Sequence, residues 1–185
     1  MIIVIPLGGV GKRFSDKGYS QPKALISVED QPIISYLLDN LQVPPDTSIV
    51  IPYHRSYDNL IDVFLTNRYP ELNFHFHKLG SDTMGAAHTL DLALKDFLRD
   101  HESEINQPFI SIDADNFYTT DILKLWKRDN AIFTFNSTST IPRFSYIEHT
   151  NNAISRIVEK VKISDDASCG AYCFESIQTF LKQIS

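Results

Sequence analysis

The first 28 residues, MIIVIPLGGVGKRFSDKGYSQPKALISV, constrain this chain more than any other stretch, because an apolar run breaks abruptly into a glycine-rich loop that ends in Pro22-Lys23. Met1 to Leu7 is apolar and rich in β-branched residues, the composition of a strand covered on both faces at the centre of a parallel or mixed sheet. Gly8, Gly9 and Gly11 then remove the Cβ atoms that would hold a ligand away from the backbone, so several N–H groups can point at one anion. Lys12, Arg13, Lys17 and Lys23 against Asp16 leave a local excess of three positive charges in a chain of net charge −6. Such a local excess implies a polyanionic ligand, most simply the phosphates of a nucleotide.

Spacing excludes two familiar glycine loops. A dinucleotide fingerprint needs a third glycine where Phe14 stands, and a P-loop needs glycine at Pro6 and Ser or Thr where Arg13 follows Lys12. The pattern that does fit is Gly8-Gly9-Val10-Gly11-Lys12-Arg13-Phe14 followed by Pro22-Lys23. It resembles the signature of the nucleotidyltransferases that make nucleotide sugars and related activated compounds. The variant Gly18-Tyr19-x-x-Pro22-Lys23-x-Leu25-Ile26 is similar to the subgroup found in surface-polysaccharide pathways.

At 185 residues the chain is expected to be one domain, 1–185, long enough to bury a core. An acidic chain with one basic loop lacks the broad basic face that nucleic acid requires, so no nucleic-acid partner is expected. No run approaches the length of a membrane span and no targeting signal precedes the glycines, which predicts a cytoplasmic protein without a membrane partner. Oligomeric state is not legible. Cys169 and Cys173 fall four apart on an expected strand, roughly 13 Å at its rise per residue, too far for a mutual disulfide or a shared metal.

Downstream the pattern alternates. Pro32 to Gln42 carries apolar residues at helical spacing, and Thr47 to Tyr53 reads as a strand. A helix is expected over about 57 to 68 with Leu60, Ile61, Phe64 and Leu65 inward, and a strand over 72 to 77. This rhythm is that of an α/β domain with right-handed crossovers. His75 and His77 share a face about 6.6 Å apart, with Phe74 and Phe76 toward the core. Without a third ligand nearby they read as residues of the wetter face rather than a metal site. Ala86 to Arg99 is a helix with Ala87, Leu90, Leu94, Phe97 and Leu98 inward, which Asp82 or Thr83 can cap. Gly85 at its start permits either close packing or close approach of a ligand.

Phe109 to Ile112 is an apolar strand ending in Asp113-Ala114-Asp115-Asn116. Carboxylates there lie at the carboxyl edge of the sheet, where open α/β sheets bind ligands, and an aspartate pair suits a hard cation such as Mg²⁺. Beyond it, Thr119 to Arg128 reads as a short helix, Ala131 to Phe135 as a buried strand and residues 136 to 140 as a mobile polar loop. A hairpin is expected from 144–147 and 153–161 around Asn151-Asn152.

The resemblance runs from residue 1 to about 175. It implies a three-layer, Rossmann-like nucleotidyltransferase fold (GT-A-like) with a mostly parallel mixed sheet. It also implies transfer of a nucleoside monophosphate from an NTP to a sugar 1-phosphate or similar phosphorylated acceptor, with release of pyrophosphate. By this resemblance Leu7, Gly8, Gly9, Gly11 and Gly85 hold the nucleotide, and Arg13 and Lys23 are the catalytic cations. Asp115, matching the family's Asp-Asn, touches nucleotide and Mg²⁺. Glu159 and Lys160 resemble the family's Glu-Lys strand and Gly170 its Gly-x-Tyr-x-Phe strand, both beside the second substrate; a surface strand accounts for Glu159-Lys160 equally well. Relatives carry a second metal-binding aspartate farther downstream. Either Asp113 takes that place or the 185 residues lack the family's terminal part. A glycosyltransferase using Asp113 and Asp115, and a non-catalytic nucleotide-binding subunit, are the alternatives.

Overall fold

A computed structural model of the chain describes residues 1–9, 11–57, 59–151 and 153–184. In chain order the elements are β1 (Ile2–Val4), α1 (Lys12–Ser15), β2 (Ser27–Val28), β3 (Gln31–Pro32), α2 (Ile33–Leu38), β4 (Ser48–His54), α3 (Leu60–Arg68) and β5 (Asn73–Leu79). They continue with α4 (Ala86–Asp100), β6 (Phe109–Ile112), α5 (Ile122–Leu125), β7 (Ala131–Asn136), β8 (Ser145–Thr150), β9 (Ala153–Glu159), β10 (Asp166–Phe174) and α6 (Ile177–Ile184).

Among the described residues eight strands form one mixed sheet, in the order β5-β4-β1-β6-β10-β8-β9, with β7 also pairing β10. β1 lies between β4 and β6 and is parallel to both, and β4 is parallel to β5. The chain thus steps from β1 outward through β4 to β5, then returns to β6 on the opposite side of β1. That reversal makes the loop after β1 a topological switch point, the position where open α/β sheets leave a crevice beyond their carboxyl ends.

The apolar residues of this first segment form the centre of two layers. Ile3 and Ile5 pack with Ile49, Ile51 and Ile110 beneath Leu37 of α2 and Leu65 of α3. Ile2 and Val4 pack with Val50 and Phe109 beneath Leu94 of α4 and Phe180 of α6. Ile2 through Ile5 are each 0% exposed, and burying a side chain of this size is worth about 1.5–3 kcal/mol, so the strand that carries the glycine loop is firmly anchored.

Several expectations are corrected. Leu60 is half exposed and Ala87 is exposed, because the buried stripe of α3 runs through Ile61 and Leu65 and that of α4 through Leu90, Ala93, Leu94 and Phe97. Neither Asp82 nor Thr83 caps α4, whose N-cap is Gly85 without a side-chain bond. The helix expected over 119–128 is the single turn α5, capped by Asp121 accepting from the Lys124 N–H. β7 is half-buried at Ala131 to Phe133 and exposed from Thr134, at the side of the sheet.

The loop after β7 is pinned rather than free: Ser137 is buried, its N–H donates to Asp165 O, and Lys162 Nζ donates to the carbonyls of Ser137 and Ser139. His75 is not on a wet face but half-buried against Phe97 and His101 beneath α4, while His77 pairs with Asp96 of the same helix. In the β8–β9 turn Asn151 has φ 52, and Asn152 lies outside the described residues. Both cysteines are free. Among the described residues no helix is long and apolar enough to cross a membrane.

Candidate active site

The glycine loop begins as a continuation of the sheet. Leu7 forms a parallel bridge to Tyr53, donating its N–H to Pro52 O and accepting from the His54 N–H. The chain then leaves the sheet against α4: a Cβ on Gly8 would lie 3.0 Å from Thr89 Oγ1 and 3.1 Å from Leu79 Cδ1. The Tyr57 hydroxyl donates to Gly9 O at 2.5 Å, and Gly11 turns the chain into α1 with φ 62, a conformation glycine adopts without strain. Of the signature glycines and their neighbours, Val10 lies outside the described residues.

Lys23 opens a short 3-10 turn after Pro22, and its ammonium contacts Asp115 Oδ2. The two residues meet directly across 92 positions of sequence, and both side chains remain nearly half exposed. Asp113, two residues earlier, lies deeper. Burial first, and the neighbouring Asp115 carboxylate second, push its carboxyl up to about 6, against the opposing pull of Lys23. The turn that holds both aspartates is tied to β10, since the Asp113 N–H donates to Gly170 O at 2.8 Å and the Tyr118 hydroxyl to Cys169 O at 2.9 Å. Gly170 has φ 78 at an irregularity in the β10–β7 pairing.

Three cavities meet at Asp113. One of 410 Å³ lies between Gly8, Gly9 and the start of α4, lined also by Asp82, Thr83 and Gly85. A second, of 230 Å³, is bounded by Leu7, Gly9, Gly11, Lys23, Tyr57 and Asp115. The third, of 770 Å³, lies toward the β8–β10 side and is lined by Asp115, Asn116, Arg143, Glu159 and Gly170 among others. Sizes of this order hold a nucleotide fragment and a small second ligand.

Most of the residues singled out in the sequence therefore converge. Arg13 is exposed and lines a separate space of 720 Å³ on the outer side of Lys23, with Lys17, Tyr19, Tyr36 and Phe117. It is still felt across the cleft: the Lys160 ammonium chiefly, and Arg13 to a smaller degree, hold the Glu159 carboxyl below its usual range. Lys160 does not line the cavity that Glu159 lines; it has φ 55 and its ammonium contacts Glu159 at 2.6 Å. Among the described residues no group of three or more His, Cys, Asp or Glu is disposed to hold a metal ion by itself.

Sequence reasoning missed His54, Tyr57 and Arg143, and read Asp82 only as a candidate helix cap. For His54 a signal existed, since it ends a central parallel strand at the carboxyl edge, one residue beyond the expected boundary. Tyr57, Asp82 and Arg143 lie in turns and loops with no motif around them.

The family profile for nucleotidyl transferases matches residues 2–184. The chain belongs to the nucleotidyl transferase family. Its fold is likewise shared with solved members. A nucleoside-diphosphate-sugar pyrophosphorylase from Vibrio cholerae RC9 superposes with a TM-score of 0.81 at 20% identity, over 100% of this chain and 77% of that one. A UDP-glucose pyrophosphorylase complexed with UDP-glucose matches with a TM-score of 0.73 at 17% identity, over 97% and 77%. The inositol-1-phosphate CTP transferase from T. maritima matches with a TM-score of 0.74 at 14% identity, over 97% and 71%. No curated protein shows significant sequence similarity. For this nucleotidyltransferase chain, family membership supports a general nucleotidyl-transfer activity, and the shared architecture is the Rossmann-like sheet described above.

Proposed function

We propose that the protein transfers a nucleoside monophosphate from an NTP to a small phosphorylated acceptor, such as a sugar 1-phosphate, with release of pyrophosphate. The observation that carries this reading is the contact of Lys23 with Asp115 between the glycine loop on one side and the 770 Å³ cavity on the other. The nucleoside end occupies the 410 Å³ cavity beside Gly8, Gly9 and Gly85, and the acceptor the larger one beside Glu159 and Gly170. The acceptor phosphate oxygen attacks the α-phosphorus in line, forming one P–O bond as the bond to the β-phosphate oxygen breaks and pyrophosphate departs. A phosphate already ionised at pH 7 needs no base, so catalysis reduces to positioning and charge neutralisation. Lys23 neutralises charge between the two phosphates, and Arg13 attracts the departing pyrophosphate from the outer side.

The aspartates suit Mg²⁺. Asp113 and Asp115 are hard oxygen donors, close enough that the Asp115 charge adds to the burial that raises the proton affinity of Asp113, and Mg²⁺ commonly takes one or two carboxylates and completes its shell with phosphates and water. When bound there, the ion supplies charge neutralisation at the α-phosphate. The Gly18-Tyr19…Pro22-Lys23 variant supports an acceptor used in surface-polysaccharide synthesis.

Pyrophosphate release, measured over the four triphosphates crossed with sugar 1-phosphates and phosphocholine-like acceptors, tests the reading. Release that disappears with Lys23→Ala supports it. Hydrolysis of a nucleotide sugar without pyrophosphate release would favour a glycosyltransferase, and binding without turnover a non-catalytic subunit.

A further inference from the structure

The 410 Å³ cavity carries more information than its position. Its lining side chains include two carboxylates, Asp82 and Asp113, and no cation. Its two threonine hydroxyls are already engaged: Thr83 Oγ1 and Thr89 Oγ1 lie 2.7 Å apart, and Thr89 also donates to Gly85 O. Asp82 is therefore the polar side chain available at the end of the cavity away from the aspartate turn.

Asp82 is held from below. His54, only 5% exposed, places Nε2 2.9 Å from Asp82 Oδ1. Its tautomer is dictated locally, because the Ser56 backbone N–H donates to Nδ1 at 3.1 Å, leaving Nε2 to carry the proton and donate. The loop bearing Asp82 is fixed at both ends as well, with Arg55 Nη1 donating to Gly80 O and the Met84 N–H to His88 Nδ1. The result is an acceptor-only carboxylate whose side chain, 78% exposed, keeps lone pairs for a ligand.

We infer that this cavity selects a nucleotide whose base carries an exocyclic amine, cytosine, adenine or guanine, over uracil and thymine, and that Asp82 reads that amine while His54 acts as its positioning residue. This rests on the cavity being the nucleoside end of the proposed transfer. An amine at C4 of cytosine, C6 of adenine or C2 of guanine donates to the carboxylate. Uracil and thymine have no exocyclic amine: their one ring N–H is flanked by two carbonyls, which would face a charged acceptor with no donor side chain in the cavity to offset them.

Calorimetric binding of CTP, ATP, GTP, UTP and dTTP to the full chain, with Mg²⁺ and no acceptor, tests this. CTP, ATP or GTP is expected to bind at least tenfold more tightly than UTP and dTTP, by analogy with sites built to pair a polar group. Asp82→Asn, a change at an exposed side chain, should shrink that ratio by admitting the carbonyl. His54→Ala should weaken the amine-bearing nucleotide several-fold and leave UTP unchanged, an effect a purely structural loss would not show. Equal binding of all five, or an order that Asp82→Asn leaves unaltered, overturns the base assignment alone. No binding of any triphosphate overturns the nucleotidyltransferase reading and this inference with it.

Discussion

Gly170 packs against Asp113 so closely that a Cβ on the glycine would lie 2.6 Å from Asp113 Oδ2, and it would collide with Asn116 Nδ2 as well. With φ 78 the position is also one that L side chains adopt only under strain. Gly170→Ala is therefore expected to cost about 1–3 kcal/mol of stability. It should also displace the aspartate turn, so that nucleotidyl transfer falls further than the lowered melting temperature explains. Thermal unfolding beside an activity assay separates the two effects.

Lys23→Met should leave the melting temperature within a few degrees of the parent, since an ion pair between half-exposed partners contributes only about 0–1 kcal/mol. Turnover should fall by roughly 10²–10³, the loss typical when one charge stabiliser of a transition state is removed. Single-turnover rates at saturating triphosphate measure this. A loss confined to KM would show that Lys23 only binds.

The pH dependence follows from Asp113. Its folded-state value of about 6 lies above the ordinary 3.8, so the folded protein binds this proton more tightly than the unfolded chain. Stability is fully present below the ordinary value and is lost as pH rises through about 6, by at most about 3 kcal/mol. Without divalent cation, urea unfolding should show lower stability at pH 7.5 than at pH 5, and Asp113→Asn should flatten that slope. Mg²⁺ should weaken the difference at pH 7.5, because a cation favours the ionised carboxylate.

Tyr57→Phe removes the hydroxyl that donates to Gly9 O and little else, since the ring stays buried. A net loss of about 0.5–1.5 kcal/mol is expected for such a bond. It should appear as a several-fold rise in triphosphate KM with kcat nearly unchanged, because the hydroxyl braces the loop without facing the reacting atoms.

What was legible in the sequence was whatever is encoded locally. The Met1 to Leu7 run gave the central strand, the glycines and Pro22-Lys23 the loop, and the acids after Ile112 the strand end. Periodicity misjudged Leu60 and Ala87 because an apolar residue at the border of a helical stripe faces inward only if a neighbour covers it. The 119–128 segment was overread for a similar reason: after one turn the chain leaves the helix at Trp126, whose backbone is extended and whose Nε1–H donates to Asp129 O. That Lys23 and Asp115 share one site followed only from the family signature, and the pairing of His54 with Asp82 not at all. Both depend on crossovers that bring distant strand ends side by side.

The meeting of three cavities at Asp113 has a consequence for how two ligands bind together. Whatever enters beside the glycine loop alters the electrostatic surroundings of that carboxylate, and the occupant of the opposite chamber shares the same wall. Under the proposed transfer, the affinities of the two ligands are then thermodynamically linked, each tuning the other by an equal factor. On the proposed reading, a triphosphate that arrives with its cation softens the repulsion a second phosphate would meet there, and by reciprocity a bound acceptor tightens the triphosphate by the same factor.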